Sequence, residues 1–230
     1  MDITVIVPLY NENESLPELT AWIDRVMAEN GFSYEVLMVD DGSTDGSWDT
    51  VRSLAQANPA IHGISFRRNY GKSAALYEGF AAAAGDVVIT MDADLQHPPA
   101  MIPEILERFR EGYDIINMVR TRNETAGFAK NLTSGLFYRL INRISDVRME
   151  PAASDFFAMD AAAADVLRHS YREKVRFLRG FVQNIGFRKT TICLTNDPMT
   201  SAPKQLSALR ELAYMYWENG CNGKYRPCSF

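Results

Sequence analysis

Short apolar runs alternate with stretches whose apolar positions recur every three or four residues, and the first half of the chain repeats this alternation. Ile3-Thr4-Val5-Ile6-Val7-Pro8 is followed by a polar loop to Glu14, then by Leu16, Leu19, Ile23, Val26 and Met27 at helical spacing. Tyr34-Glu35-Val36-Leu37-Met38-Val39 leads through Asp40-Asp41-Gly42-Ser43 to a helix carrying Trp48, Val51, Leu54 and Ala55. His62-Gly63-Ile64-Ser65-Phe66 precedes a polar loop over residues 67–73 and an alanine-rich helix through Ala84. Val87-Val88-Ile89-Thr90-Met91 runs into Asp92-Ala93-Asp94, after which Pro98-Pro99 open a helix on Met101, Ile102, Ile105, Leu106 and Phe109. Runs that are apolar on both faces suit parallel strands covered by helices. The alternation therefore predicts an α/β fold with an open, mostly parallel, helix-covered sheet.

Open α/β sheets hold ligands at the carboxyl ends of their strands, and acidic side chains gather at those ends here. Asp92 and Asp94 are spaced one apart, which on a continuing strand puts both carboxylates on the same pleat face. Two carboxylates on one face can share a hard divalent cation and, through it, phosphate oxygens. Asp40-Asp41-Gly42-Ser43 has a plainer reading as a turn and helix cap, a reading that loses ground beside the second acidic pair. His97 is better read as a structural side chain than as a ligand, because oxygen-rich surroundings suit a hard cation. Gly71-Lys72-Ser73 looks like the end of a phosphate-binding P-loop, but Phe66 stands where that motif needs glycine. Lys72 is left to support the loop before it or to start a helix.

Composition narrows the classes. The chain has 230 residues, 47% hydrophobic and 23% charged, as in an ordinary globular domain. A net charge of −5 speaks against a general nucleic-acid binder. The first apolar run is short and lacks a basic flank, so no signal peptide is expected, nor is any run long enough to span a membrane. Cys193, Cys221 and Cys228 are odd in number and lack ligand spacing, which favours free thiols in a reducing compartment.

Four motifs now stand in order: Val7-Pro8-Leu9-Tyr10-Asn11-Glu12, Val39-Asp40-Asp41-Gly42-Ser43-Thr44-Asp45, Arg68-Asn69-Tyr70-Gly71-Lys72 and Met91-Asp92-Ala93-Asp94-Leu95-Gln96-His97-Pro98. Their order and spacing resemble the family 2 glycosyltransferases of the GT-A fold. The nearest resemblance is to the polyprenyl-phosphate glycosyltransferases, the group containing dolichol-phosphate mannose synthase and the bacterial undecaprenyl-phosphate sugar transferases. It continues through Gly112-Tyr113-Asp114, Arg120-Thr121-Arg122, Lys130, Ser154-Asp155-Phe156 and Arg176-Phe177-Leu178-Arg179-Gly180 to Phe187. A catalytic domain over residues 1–192 is expected, with a divergent tail over 193–230. That tail carries Leu206, Leu209, Leu212, Ala213 and Tyr216-Trp217 at the spacing of one amphipathic helix.

The resemblance implies a donor pocket for a nucleotide sugar formed by Pro8, Tyr10, Glu12, Asp41, Lys72, Asp92 and Asp94. Asp41 would accept a hydrogen bond from the nucleobase, which an ionised carboxylate does well. Asp92, Asp94 and Gln96 would hold Mg²⁺ or Mn²⁺, with Asp94 counted as catalytic because the cation neutralises charge on the departing diphosphate. The second catalytic residue is Asp155. A hydroxyl acceptor needs a base there, whereas a lipid phosphate, with a second pKa of about 6, is already largely dianionic, so Asp155 would orient it. Arg120, Arg122 and Lys130 are implied holders of that acceptor phosphate. The expectation is an inverting transferase acting on a polyprenyl phosphate, in the cytoplasm or peripheral on the cytoplasmic membrane face. A saccharide hydroxyl acceptor and a non-catalytic nucleotide-sugar-binding protein are the alternatives.

Overall fold

The computed structural model describes residues 2–120, 153–170, 182 and 185–194. Among the described residues seven strands form one sheet: β1 (Ile3–Leu9), β2 (Tyr34–Asp40), β3 (Ile61–Ser65), β4 (Val87–Thr90), β5 (Ile115–Arg120), β6 (Ala153–Asp160) and β7 (Lys189–Leu194). Their spatial order is β3-β2-β1-β4-β6-β5-β7. β1 pairs in parallel with β2 and β4, β2 with β3, and β5 with β7. β6 alone runs against its neighbours, antiparallel to both β4 and β5. The mostly parallel α/β sheet read from the sequence is therefore present, with its one reversed strand beside β4.

Helices α1 (Leu16–Asn30), α2 (Ser47–Ala57), α3 (Lys72–Ala82), α4 (Ile102–Arg110) and α5 (Ala161–Ser170) cover the sheet. Strand residues alternate between two apolar layers. Val5, Val7, Val36, Met38 and Ile89 pack with Leu19, Ile23 and Met27 of α1 and Ile105 of α4. Ile6, Leu37, Val39 and Val88 pack on the other face with Leu76 and Phe80 of α3 and Leu167 of α5. This double burial is why β1 reads as a continuous apolar run, and each such aliphatic side chain contributes about 1.5–3 kcal/mol. α3 lies close to β1 because Gly79 presents no side chain there; a Cβ would stand 2.4 Å from Ile6 Cγ2. Pro99 starts a short 3₁₀ turn, Pro99–Met101, that leads into α4.

Among the described residues no helix is long and apolar enough to cross a membrane. Cys193, in β7, is disulfide-bonded, which corrects the free-thiol expectation. Whether two thiols meet depends on Cα atoms brought within about 7 Å by the fold, which spacing along the chain does not reveal. Arg122, Lys130, the 176–180 motif and the amphipathic stretch of the tail lie outside the described residues.

Candidate active site

A cavity of about 300 Å³ opens at the carboxyl ends of the parallel strands. The chain winds outward from β1 to β3 and then returns to place β4 on the other side of β1, so the cavity lies at the switch point where α/β folds bind ligands. Pro8, Leu9, Tyr10 and Glu12 line it from β1 and its loop, and Asp41 from the end of β2. Asn69, Gly71, Lys72 and Ala75 come from the β3–α3 connection, and Asp92, Ala93 and Asp94 from beyond β4. All seven donor-pocket residues expected from the sequence thus meet in one place. Gln96 is not in that lining; its main-chain N–H donates to Asp94 Oδ1 at 3.0 Å. Leu9, Asn69, Gly71, Ala75 and Ala93 were missed as lining residues, although all but Ala75 stand inside motifs already singled out.

The loops around the cavity are tied to one another. Asn11, at a φ of 55°, donates its main-chain N–H to Ser43 Oγ, and its side-chain oxygen accepts from Thr44 N at 2.8 Å. Ser47 Oγ accepts from Glu12 N at 3.0 Å, and Asp45 accepts from the N–H groups of Asn13 and Ser47. Burial alone would raise the Asp45 pKa, but its hydrogen bonds from Ser47 and Asn13 outweigh it and hold the carboxyl below the usual aspartate value.

Asp40 and Asp41 divide the turn between them. Asp40 accepts from Ser43 N at 3.0 Å and from Ser65 Oγ at 3.1 Å, which joins the ends of β2 and β3. Asp41 is 3% exposed, and its two oxygens accept from Tyr70 N at 2.7 Å and Gly71 N at 2.8 Å. It therefore fixes the 67–71 loop over the cavity while lining the cavity itself. Gly42, at a φ of 75°, lets that loop approach: a Cβ there would lie 2.5 Å from the Arg68 carbonyl carbon. At the mouth, Tyr10 is 45% and Tyr70 57% exposed, with the Arg68 guanidinium 4.3 Å from the Tyr70 ring centroid.

β4 ends at Thr90, so Asp92 and Asp94 are not on a shared pleat as the sequence suggested. A turn with Leu95 at a φ of 64° follows, and it is this turn that brings both carboxylates to the cavity. His97 is buried and stacks on Phe156 with ring centroids 4.7 Å apart. Its Nδ1 accepts from Asp92 N at 2.9 Å, so it shapes the turn, as a structural histidine should.

Asp155 belongs to β6, and the β4–β6 pairing carries it alongside Asp92. Thr90 Oγ1, fully buried, donates to the Asp155 carbonyl oxygen at 2.7 Å and fixes that junction. Lys72 then links the two acids: its Nζ lies 2.5 Å from Asp92 Oδ1 and 3.0 Å from Asp155 Oδ2. Nothing in the sequence placed those three side chains together. The backbone of Arg120 closes β5 at the same edge of the sheet, since β4 and β5 both run against β6.

A charge count shows what the cavity can take. Among the described residues, four carboxylates, Glu12, Asp41, Asp92 and Asp94, and one ammonium, Lys72, line it. An anionic diphosphate entering such a lining would be repelled unless a cation came with it. Asp92 and Asp94 offer hard oxygen donors beside open cavity, a set that fits Mg²⁺ or Mn²⁺ completed by ligand oxygens and water.

A mostly parallel α/β sheet with carboxylates at its switch point is a fold of the GT-A type. Residues 4–167 match Glycosyl transferase family 2, and the chain belongs to that family. It is similar to the undecaprenyl-phosphate 4-deoxy-4-formamido-L-arabinose transferase of Klebsiella pneumoniae (strain 342), 40% identical over 64% of this chain and 45% of the relative. It is 32% identical to the bactoprenol glucosyl transferase of Shigella phage SfV, over 81% of this chain and 60% of the relative. The chain spans about three fifths of the length of the curated relatives that it matches over most of its own. Among solved structures, a mannosyltransferase of Pyrobaculum calidifontis, in complex with GDP-Man and Mn²⁺, superposes with a TM-score of 0.59 at 20% identity. That likeness covers 97% of this chain and 65% of the other, and it is a likeness of fold.

Proposed function

We propose that this protein is an inverting glycosyltransferase that moves a sugar from a UDP- or GDP-sugar to a polyprenyl phosphate, undecaprenyl phosphate in particular, at the cytoplasmic membrane face. The observation that carries the reading is the acidic cavity at the switch point, with Asp155 joined to it through Lys72. Similarity to the undecaprenyl-phosphate and bactoprenol transferases supports the lipid phosphate as acceptor.

Each residue has a task in this scheme. Asp41 holds the 67–71 loop beside the nucleotide, and Tyr10 and Glu12 border the same space. Asp92 and Asp94 would hold Mg²⁺ or Mn²⁺, which when bound supplies Lewis-acid neutralisation of the leaving diphosphate. Asp155, at the edge of the cavity, orients the acceptor phosphate for attack on the anomeric carbon opposite the leaving group. Arg120, Arg122 and Lys130 supply positive charge for that phosphate, as arginine does with paired oxygens.

The test is direct. The protein is incubated with a panel of nucleotide sugars, Mn²⁺ and undecaprenyl phosphate, and lipid products are identified by mass. A glycosyl phosphate lipid is expected, and its absence with every donor contradicts the reading. Asp155→Asn then separates the acceptors. A phosphate needs no deprotonation, so this variant keeps appreciable turnover; a loss of roughly 10²–10⁴-fold would point to a hydroxyl acceptor.

A further inference from the structure

Lys72 is in an odd place for a cation. It is the first residue of α3, next to N-terminal N–H groups whose partial positive charge disfavours a nearby ammonium. The two carboxylates compensate: Asp92 at 2.5 Å and Asp155 at 3.0 Å hold one ammonium between a cavity-lining turn and β6. The side chains of all three are partly solvated, at 38%, 28% and 22% exposed, so the link can open without stranding a buried charge. One Asp92 oxygen is thus occupied by the chain's own cation at the place where the donor site calls for a metal.

We propose that Lys72 is a resident counter-cation. In the ligand-free protein its ammonium occupies Asp92, and a divalent cation must displace it; the incoming diphosphate then takes up the released ammonium. The inference rests on the donor-site reading above and deepens it. Lys72 therefore acts as a positioning residue that couples the two ligands. It weakens metal binding while the diphosphate is absent and stops doing so once the diphosphate is present. By linkage, the nucleotide's affinity depends on the metal to the same degree.

The experiment measures Mn²⁺ binding to the full chain by calorimetry, without nucleotide and with saturating UDP or GDP, for wild type, Lys72→Met and Lys72→Arg. Without nucleotide, Lys72→Met should bind Mn²⁺ about three- to tenfold more tightly than wild type, the range expected for removal of a partly solvated competing charge. The gain in Mn²⁺ affinity produced by nucleotide should shrink by a similar factor, while Lys72→Arg stays near wild type. A purely structural ion pair predicts unchanged or weaker Mn²⁺ binding in Lys72→Met, and that result overturns the proposal. So does a nucleotide-induced gain that is equal in the two proteins. Wild type that binds no Mn²⁺ with either nucleotide contradicts the donor-site reading itself and takes this proposal with it. Lys72→Gln, neutral but still able to donate a hydrogen bond, carries the same expectations should Lys72→Met fail to fold.

Discussion

Two acidic pairs, Asp40-Asp41 and Asp92/Asp94, look alike along the chain, each following an apolar strand, yet they are put to opposite uses. Asp40 and Asp41 direct their oxygens at donors of the protein itself: Ser43 N, Ser65 Oγ, Tyr70 N and Gly71 N. Asp92 faces an ammonium on a long, partly solvated side chain, and Asp94 is an exposed group at the cavity wall. The difference teaches how to tell architecture from chemistry among carboxylates. A carboxylate with both oxygens matched by fixed donors sets a shape, and one that keeps an oxygen for solvent or for a partly solvated ammonium is available to a ligand.

Breaking the second pair should have the larger effect on turnover and the smaller on folding. Asp94→Ala is expected to lower sugar transfer by about 10²–10³-fold, since electrostatic stabilisation of the leaving group is lost. Its urea midpoint should stay close to wild type, because the side chain supports little but the Gln96 N–H.

Breaking the first pair reverses the pattern. Asp41→Ala leaves the Tyr70 N–H without its acceptor and the Gly71 N–H with Asn69 Oδ1 alone, which should cost about 1–3 kcal/mol in urea unfolding with an unchanged slope. Nucleotide binding should weaken as the loop loosens, while its dependence on Mn²⁺ remains. Asp41→Asn, with one carbonyl oxygen left, should recover part of the stability.

The smallest effect sharpens the comparison by pH. Asp45 belongs with the architectural group, and its carboxyl lies below the usual aspartate value. A lowered pKa in the folded state contributes stability that is present above the unfolded value of about 3.9 and is lost as pH falls through the folded one. The difference in thermal midpoint between wild type and Asp45→Asn should therefore be seen at neutral pH and fade as the pH drops below about 4. A difference that stays constant into acid would mean that the charge on Asp45 does not matter.

Sequence patterns carried the parallel half of the fold well, because β1 to β4 and their helices are local units with matching periodicities and strand-end loops. What they could not carry was contact across long separations. Asp155 meets Asp92 through antiparallel pairing of β6 with β4, and no period-two pattern announces that a later strand reverses direction. Lys72 was visible as part of a motif, but its bridge to both acids depends on where α3 begins relative to that pairing. The shared pleat failed for a local reason: β4 stops at Thr90, and His97 with Leu95 shapes a turn in its place. Asp41 was legible as a residue of the strand-end cavity, whereas its hold on Tyr70 and Gly71 required the 67–71 loop to fold back onto Gly42.

The central claim is that the acidic cavity binds a nucleoside diphosphate through a divalent cation at Asp92 and Asp94. Calorimetry of UDP and GDP with the wild-type chain, with and without Mn²⁺, tests it most directly when repeated on Asp94→Ala. At least one nucleotide is expected to bind, with an affinity that strengthens with Mn²⁺ in wild type and gains nothing from Mn²⁺ in Asp94→Ala. Absence of binding with metal present, or an equal Mn²⁺ effect in both proteins, would contradict it.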